Sequence, residues 1–557
     1  MAFSYKERQH TWQSLKDAPP EIVIIGAGVV GTATATAAAR LGLHVLLIDK
    51  GDIAGGTSGA STGLAHAGLR YLAQGHIGYV FKAGRERRHL QEVAPHWVRP
   101  FDFILPVYKG EPHAFWVVRL GTFLYDWMAR VDAWFSKRPM PRRYQTLSAA
   151  EVQNKIPGIK TESLEGGLAY FVDAQMQDTR LTLGLAQSAA QHGAKVLTYA
   201  EVKSFHPWKE GGASVIFEDR LTGEEQEVRA RIVVNASGPW IDQVRALAGF
   251  KQETLKPSQG LHLVVDHITN TPLIFSTEIP NKVFFVLPVD QTVSLVGTTD
   301  TPIQSNPERT KAEPREVTEL LQRLFTFFPY LKQGSNLQEA MKSYKEVHVR
   351  SVYWGVRPLL KQIGSTLQAS REHAVLKEAL WFWSVPGVKL TSGLSVGEEI
   401  GHGLWKALRK NAAPNKPADS LPGGELWDYD KYVHDAQKRF KLGENSDQII
   451  RYLISLYGTR YVEVLQWANR EPHYRERILE GEPWILAQVP YAIQEEMVLT
   501  LNDLLWRRTK WALWRSLPEE TVVGIAQEMA EILGWSPETR QEQFEAYQKE
   551  KAKHQVP

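Results

Sequence analysis

The segment that most constrains the fold of this 557-residue chain is "EIVIIGAGVVGTATATAAARLGLHVLLIDK", residues 21–50. Two apolar runs, 22–25 and 45–48, predict buried parallel strands, and the small residues between them predict a helix that packs closely on a sheet. The turn "GAGVVG" precedes the helix, where glycines admit a pyrophosphate, and Asp49 after the second strand suits a ribose diol. The segment therefore predicts a dinucleotide-binding unit. Its predicted contacts are Gly26, Ala27, Gly28, Gly31, Asp49 and Lys50.

The residues after this unit indicate which dinucleotide binds. A nicotinamide-dependent chain normally continues with further parallel βαβ units, whereas this chain continues with "GDIAGGTSGASTG", a second stretch rich in glycine and hydroxyl groups. Such a stretch suits a longer cofactor that approaches the backbone in an extended pose. A later strand ends in "NASGPWID", residues 235–242, whose small residues suit a further backbone contact. The sequence therefore favours FAD.

The pattern of predicted strands and helices divides the chain into several domains. A second α/β unit is predicted at 179–198, alternating short strands at 261–300 predict an antiparallel sheet, and the last 130 or so residues are helical in pattern. We therefore expect an α/β fold with a Rossmann-type FAD-binding domain, an antiparallel-sheet substrate subdomain and a C-terminal helical cap domain. The predicted parts are an oxidoreductase region at 1–409 (FAD-binding parts at about 19–110, 165–260 and 350–409, substrate subdomain at about 261–349), a linker at 410–424 and a helical domain at 425–557.

Composition excludes several classes of function. The chain has no cysteine, which excludes disulfides, thiolate metal sites and a cysteinyl flavin link, so we expect non-covalent FAD. We also predict no metal site. The net charge of +3 is not that of a dedicated nucleic-acid binder. The N-terminus is polar, and no stretch approaches the ~20 apolar residues of a membrane span. The sequence therefore predicts a cytoplasmic protein whose contact with a membrane is peripheral.

A series of motifs follows in one order along the chain: "GGTS…STGLAHAGLRYL", "LGTFLYDWMAR", "VDAQMQDTRLTLGLAQSAAQHGAKVLTYAEV", "NASGPWID", "FFVLPVDQTVSLVGTTD", "WGVRPLL", "ASREHAVL", "VPGVKLTSG" and "LYGTRYVEVL". In this order they resemble the FAD-dependent glycerol-3-phosphate dehydrogenases of the respiratory chain, over nearly the whole length. The resemblance implies hydride transfer to FAD from sn-glycerol 3-phosphate, or from a closely related phosphorylated or acidic alcohol. It also implies dihydroxyacetone phosphate as the product and a quinone as the electron acceptor.

The resemblance also implies the residues of the site. Histidine titrates near neutral pH and suits a base that takes a hydroxyl proton, while guanidinium and ammonium groups suit a phosphate. The implied catalytic and substrate residues are His66, Arg70, Tyr71, Arg357, Arg371 and Lys389. The further implied FAD contacts are Gly56, Thr57, Ser58, Ser61, Thr62, Leu64, His66, Val202, Ala236, Ser237, Gly238, Trp240, Lys389, Leu390 and Thr391. The alternative interpretations are a structural histidine at 66, a pair at Arg70 and Tyr71 on a helix face that bridges to carboxylates, and a structural loop arginine at 357. Asp178 is interpreted mainly as a helix N-cap.

Four positions depart from the family's motifs, namely Gly63, Ala67, Val388 and Leu394. Compared with the family's motifs, this chain lacks two positively charged side chains and has a bulkier residue beside Lys389. The sequence therefore does not identify the exact substrate. The choice between quinone and oxygen also stays open. The alternative functions are a glycerol-3-phosphate oxidase and a catalytically impaired flavin-binding paralogue. The sequence is compatible with a homodimer and does not assign a role to the C-terminal domain.

Residues 115–143, "FWVVRLGTFLYDWMARVDAWFSKRPMPRR", combine an aromatic-rich pattern with a basic end. Aromatic side chains backed by cations suit a helix that lies in the lipid headgroup layer. The basic residues are Lys137, Arg138, Arg142 and Arg143. The alternative is an aromatic-rich core helix. We favour the first interpretation and expect association with the cytoplasmic face of the membrane.

Overall fold

The structure, a computed structural model, describes residues 3–15, 19–66, 77–135, 140–277, 283–303, 306–334, 336–361, 373–409, 411, 414, 416, 418–440 and 442–557. Two large sheets, each covered by helices, organise these residues. The predicted α/β class with a helical C-terminal part is confirmed.

A six-stranded sheet contains the dinucleotide unit. Its central strand, Ile22–Ile25, pairs in parallel with Val45–Ile48 on one side and with Ile232–Asn235 on the other. All residues of these three strands are buried, as expected for a parallel sheet with helices on both faces. In spatial order the strands are Leu376–Ala379, Phe382–Ser384, Ile232–Asn235, Ile22–Ile25, Val45–Ile48 and Lys195–Leu197, of which the first runs antiparallel to its neighbour.

A helix of small residues packs between two other helices beside this sheet. The helix Val29–Arg40, predicted from its run of alanine and threonine, contacts Asp178–Gln191 and Gly393–Arg409. A Cβ atom added at Gly397 would lie 2.5 Å from the backbone carbon of Ala33. Side chains larger than hydrogen would therefore push the two helices apart.

A nine-stranded sheet forms the second layer. In spatial order eight of its strands are Thr301–Pro302, Ser258–Asp266, Val293–Gly297, Val283–Pro288, Leu273–Ser276, Phe103–Tyr108, Leu164–Tyr170 and Gln145–Ser148, and Val349–Arg357 also pairs with Ser258–Asp266. The pairing is antiparallel except between Leu273–Ser276 and Phe103–Tyr108. The antiparallel sheet expected from 261–300 is present, and it also takes in strands from 103–170.

Two small antiparallel sheets and the remaining helices complete the part before residue 410. The small sheets are Ala200–Pro207 with Ala213–Asp219 and Glu225–Ala230, and Leu64–Ala65 with Ala174–Met176 and Val98–Pro100. The helices are Tyr5–Ser14, Ile77–Val93, Phe115–Phe135, Ala149–Lys155, Ile241–Leu247, Pro314–Phe327 and Leu337–His348. The short 3-10 helices are Thr57–Gly59, Gly238–Trp240, Pro307–Arg309, Pro329–Leu331 and Leu390–Ser392.

The C-terminal part is helical, as predicted. Its α-helices are Tyr429–Arg439, Ser446–Tyr457, Tyr461–Ala468, Gln488–Glu495, Trp511–Trp514, Glu519–Leu533 and Pro537–Lys553, with a π-helix at Asp503–Arg508 and 3-10 helices at Gly458–Arg460 and Pro472–Arg475. These helices share one hydrophobic core with the preceding part, because Trp511 and Val489 pack in the same cluster as Leu64 and Tyr353. Leu421, in the predicted linker, is buried, and its N–H donates to the carbonyl of Val93.

Candidate flavin and substrate site

A cavity of about 1500 Å³ lies where the parallel strands end. Residues that follow the carboxyl ends of three strands, Gly26, Asp49 and Ala236, line it, which is the usual ligand position in such sheets. Pockets for ordinary small molecules measure about 300–1,000 Å³, so this cavity suits a larger ligand. The predicted site residues that line it are Gly26, Gly28, Asp49, Lys50, Gly56, Thr57, Ser58, Ser61, Thr62, Leu64, His66, Val202, Ala236, Ser237, Gly238, Trp240, Arg357, Lys389, Leu390 and Thr391.

The glycine turn has no room for side chains at two positions. Gly26 has a φ of +106°, and a Cβ added there would lie 2.6 Å from the carbonyl oxygen of Ala236. A Cβ at Gly31 would lie 1.8 Å from the carbonyl oxygen of Gly26. Gly28 is the N-cap of the following helix and faces the cavity. The turn therefore brings the helix N-terminus to the cavity with bare backbone.

Asp49 braces this turn from the neighbouring strand. Its Oδ2 accepts a hydrogen bond of 2.6 Å from the Ala27 N–H, and its Oδ1 accepts one of 2.8 Å from the Gly51 N–H. Burial raises the pKa of this carboxyl group, and the two amide hydrogen bonds oppose that rise. Ala27 thus contacts Asp49 and does not line the cavity. Gly31 does not line the cavity either, and it packs closely against the backbone of Gly26.

The second glycine-rich loop fastens the turn to the other sheet. The Val29 N–H at the helix start donates to Ser58 Oγ over 2.9 Å, and Thr57 Oγ1 donates to the Val356 carbonyl over 2.5 Å. A Cβ added at Gly355, on the same strand as Val356, would lie 2.6 Å from the Ala60 carbonyl oxygen. The loop is therefore held between the dinucleotide unit and the strand that carries Arg357.

The side chain of Asp178 binds this loop and does not occupy the helix N-cap position. Gln177 occupies the N-cap position and the helix begins at Asp178, so the predicted capping role is wrong. The Asp178 Oδ2 atom accepts hydrogen bonds from the backbone N–H and the hydroxyl of Ser61, at 3.0 and 2.8 Å. Spatial proximity to the loop, which the sequence does not show, gives the carboxylate this role.

Arg357 ends the strand Val349–Arg357, and the cavity wall fixes its guanidinium. Its Nη2 donates to Thr298 Oγ1 and to the Thr299 carbonyl, both at 3.1 Å, and its Nη1 lies 3.2 Å from Asp300 Oδ1. Gly260 faces the guanidinium, because a Cβ added there would lie 2.2 Å from Nη2. The geometry leaves a half-buried cation oriented at the edge of the cavity.

Lys389 has a partner that sequence analysis missed. The Lys389 Nζ group is hydrogen-bonded to the hydroxyl of Tyr79 and lies 4.5 Å from the centre of its ring. Tyr79, on the helix Ile77–Val93, also lines the cavity. No local pattern indicates Tyr79, because an aromatic residue on a helix normally packs in a core.

Among the described residues, two histidines line the cavity, and sequence analysis found only one. His66 is exposed, which contradicts the alternative of a buried core histidine. His262, the missed residue, is buried, and its Nε2 lies 2.8 Å from Thr62 Oγ1. Burial, and to a smaller degree Arg357 and Lys510, lowers the pKa of His262 to about 3, so its ring is neutral at ordinary pH. A polar residue inside the apolar run "LHLVV" was the available signal.

Several predicted positions lie outside the described residues or away from the cavity. Arg70, Tyr71 and Arg371, together with Ala67, lie outside the described residues. Of the other departures from the family's motifs, Val388 lines the cavity, Gly63 has a φ of +68°, and Leu394 is buried against a core cluster. The arginine position lost at Leu394 therefore belongs to the core in this chain.

The fold and the glycine turn define a dinucleotide-binding protein of the flavin type. The large cavity, the bare backbone at the helix N-terminus and the second loop fit FAD, and the residues that would hold it are Gly26, Gly28, Ser58, Ala236 and Lys389.

Comparisons with known proteins agree with this class. Residues 21–400 match the family model of FAD dependent oxidoreductases, and residues 419–540 match the model of the C-terminal domain of alpha-glycerophosphate oxidase. The glycerol-3-phosphate dehydrogenase of Synechocystis sp. is 31% identical over 555 residues, which cover 95% of each chain. The aerobic glycerol-3-phosphate dehydrogenase of Staphylococcus aureus is 31% identical over 99% of this chain and 97% of the relative. The X-ray structure of the glycerol-3-phosphate dehydrogenase from Bacillus halodurans complexed with FAD superposes with a TM-score of 0.78 at 26% identity, covering 99% of this chain and 98% of the other.

This chain belongs to the FAD-dependent oxidoreductases and, among them, to the glycerol-3-phosphate dehydrogenase family. The resemblance drawn from the order of the sequence motifs is thereby confirmed.

Proposed function

We propose that this protein oxidises sn-glycerol 3-phosphate to dihydroxyacetone phosphate. The observation that carries the proposal is that Arg357 and Lys389 line one cavity together with His66 and the dinucleotide turn. Forked guanidinium donors and a lysine charge suit a phosphate, and a nearby imidazole suits the proton of a secondary hydroxyl. The relatives' names agree with this substrate. Bound FAD would supply the acceptor of the hydride from the alcohol carbon.

In this proposal, residues of the chain bind the phosphate of the substrate and remove the proton of its hydroxyl group. Arg357 and Lys389 bind the phosphate, and their hydrogen bonds to Thr298 and Tyr79 orient the charged groups before substrate arrives. His66 takes the proton of the hydroxyl. Arg70, Tyr71 and Arg371 stay candidate substrate contacts by resemblance.

Glycerol 3-phosphate is expected to bleach the protein-bound flavin under anaerobic conditions. Bleaching of the visible flavin absorption reports transfer of electrons from the substrate without any external acceptor. Glycerol, which lacks the phosphate, is the control and is expected to leave the flavin oxidised at equal concentration. An unchanged flavin spectrum with glycerol 3-phosphate would contradict the proposed substrate.

Arg357→Ala and Lys389→Ala are each expected to raise KM for glycerol 3-phosphate roughly 10- to 150-fold. Loss of one charge-assisted hydrogen-bond donor costs about 1.5–3 kcal/mol, which corresponds to this range. Steady-state kinetics with an artificial dye acceptor measures the change. Arg350→Ala is the matched control, because Arg350 lies on the same strand as Arg357 and pairs with Asp266 outside the cavity. Wild-type KM values for both active-site variants would place the phosphate elsewhere.

We also propose that the electrons pass to a membrane quinone. The support is one face of the helix Phe115–Phe135, on which Trp116 is 68% exposed and Phe135 is 73% exposed, whereas Tyr125 and Met128 of the same helix pack in the core. The other exposed apolar residues of this helix are Val117, Leu120, Phe123, Leu124, Trp127 and Trp134. These exposed positions favour an amphipathic helix with an outward apolar face over an aromatic helix buried wholly in the core. They suit a helix that lies in the headgroup layer at the cytoplasmic face of a membrane.

No helix in the described part of the chain combines the length and apolarity needed to cross a bilayer. Of the four predicted basic residues, Arg142 and Arg143 are exposed, while Lys137 and Arg138 lie outside the described residues. Arg142 also pairs with Asp102 and lies over the ring of Phe171.

The protein is expected to co-sediment with vesicles that contain anionic phospholipid. Replacing Trp116, Phe123 and Trp127 with serine is expected to weaken binding about tenfold or more, because each side chain loses apolar area that lipid would cover. Trp427→Ser is the control, since Trp427 is fully exposed and lies outside the helix Phe115–Phe135. Replacing the four basic residues with glutamine should weaken binding chiefly at low salt. Absence from the vesicle pellet at low salt would contradict membrane association.

The match of residues 419–540 to the C-terminal domain of alpha-glycerophosphate oxidase favours an oxidase as the second candidate function. An oxidase passes the electrons to oxygen and makes hydrogen peroxide in proportion to the substrate oxidised. Turnover in air without added acceptor, with stoichiometric peroxide, would identify this alternative. Under the quinone proposal, a water-soluble quinone accelerates turnover and peroxide stays a minor product.

A further inference from the structure

Three basic residues of the C-terminal domain converge on the loop that follows the dinucleotide unit. They are Arg507, Arg508 and Lys510, which lie at the end of the π-helix Asp503–Arg508 and just after it. The Arg507 Nε atom donates to Asp52 Oδ2 over 2.6 Å, and Arg508 forms a two-pronged bond to both oxygens of Asp52 at 2.6 and 2.8 Å. Burial raises the pKa of Asp52, but Arg508 and Arg507 outweigh it and hold the pKa below its usual value. A buried, charged carboxylate thus ties one end of the loop to the C-terminal domain.

Lys510 ties the other end of the loop. Its Nζ donates to the Gly59 carbonyl over 3.2 Å and to Asp178 Oδ1 over 2.7 Å. The second oxygen of Asp178 accepts the two hydrogen bonds from Ser61. A continuous chain of hydrogen bonds therefore runs from Lys510 through Asp178 to Ser61, which lines the cavity.

The loop between these two sets of contacts must be held in place by residues outside it. It contains Gly55, Gly56 and Gly59, which lack side chains that could restrict the backbone, and Ala54 has a φ of +59°. Its cavity-facing residues Gly56, Thr57 and Ser58 lie between the anchored ends. The position of these residues therefore depends on contacts made from outside the loop.

We propose that the segment 507–510 is a positioning element of the C-terminal domain, which holds the loop 52–63 in the geometry that FAD binding and flavin reduction require. The proposal rests on the proposed contacts of Ser58 and Ser61 with the cofactor. It assigns to the C-terminal domain a role in the reaction, although none of the three cations is a catalytic residue. The pair Lys510 and Asp178 gives the most direct test, because only one carboxylate group, that of Asp178, connects Lys510 to Ser61.

The test compares Lys510→Met, Asp178→Asn and the double variant in the full-length protein. FAD affinity is measured by quenching of flavin fluorescence when FAD is added to the apoprotein, and flavin reduction by anaerobic stopped flow. We expect each single variant to bind FAD about fivefold or more weakly, and the double variant to bind no worse than the weaker single, because the two residues act as a unit. Lys510→Arg should retain most of the affinity, since it keeps the charge. Lys549→Met, at an exposed lysine of the same domain, is the matched control and should behave as wild type.

A purely structural pair would lower the thermal midpoint and leave the FAD affinity of the folded protein unchanged. Wild-type affinity for Lys510→Met and Asp178→Asn, or fully additive losses in the double variant, would overturn the proposal. If Lys510→Met does not fold, Asp178→Asn still tests the proposal. Wild-type FAD affinity and reduction rate in that variant would contradict a positioning role for the pair Lys510 and Asp178. The affinity measurement needs no substrate, so it stands even if glycerol 3-phosphate fails to reduce the wild-type flavin.

Discussion

Gly31→Ala is expected to yield protein that lacks FAD. The added Cβ would lie 1.8 Å from the carbonyl oxygen of Gly26 and 3.5 Å from the Cβ of Ala236. The first neighbour is backbone of the turn itself, so the helix Val29–Arg40 must move away from the strand Ile22–Ile25 to relieve the clash. That movement takes the helix N-terminus away from the position of the pyrophosphate.

The flavin content of purified protein measures this effect. We propose that FAD is held non-covalently, so acid precipitation releases it and the supernatant absorbance gives the FAD to protein ratio. Gly524→Ala is the matched control, because that helical glycine has no neighbour within 4 Å of an added Cβ. Gly28→Ala is expected to have an intermediate effect on FAD content. Its Cβ would lie 3.2 Å from Ser58 Oγ, so the helix still packs on the strand while less space remains for the cofactor. A full complement of FAD in the Gly31→Ala variant would refute the proposed role of the turn.

His66→Asn is expected to lower kcat roughly 10²- to 10⁴-fold, the range typical of a lost general base. KM should change little, because the proposed phosphate contacts at Arg357 and Lys389 are retained. His206→Asn, at an exposed histidine outside the cavity, is the control and should leave kcat unchanged. A loss of less than about threefold would assign the proton transfer to another group.

The pH dependence of kcat separates His66 from the second histidine of the cavity. The pKa of His262 is lowered to about 3 by burial, so its ring does not change charge between pH 5 and pH 8. Any limb of the wild-type profile in that interval should therefore persist in His262→Gln and disappear in His66→Asn. A limb that persists in His66→Asn would contradict the assignment of His66 as the base.

The dinucleotide unit could be predicted from sequence patterns almost to the residue. The strands Ile22–Ile25 and Val45–Ile48 and the helix Val29–Arg40 lie where the apolar runs and the small residues predict them. These features are local, since a turn that has room only for glycine and a buried parallel strand each leave their pattern within about ten residues. The helical C-terminal part and the α/β class follow from patterns of the same short range.

Tertiary structure alone decided which distant residues share the site. His262 meets Thr62 across 200 positions of the chain, Lys389 meets Tyr79 across 310, and Arg507 meets Asp52 across 455. The helix Phe115–Phe135 shows the same limit, because an amphipathic pattern gives an apolar face without saying whether that face meets the core or the surface. Periodicity encodes the faces of single elements, whereas the partners of those faces depend on how the sheets and the C-terminal helices pack. For that reason the sequence indicated the chemistry of the cofactor turn, and only the fold revealed the groups that position the loop beside it.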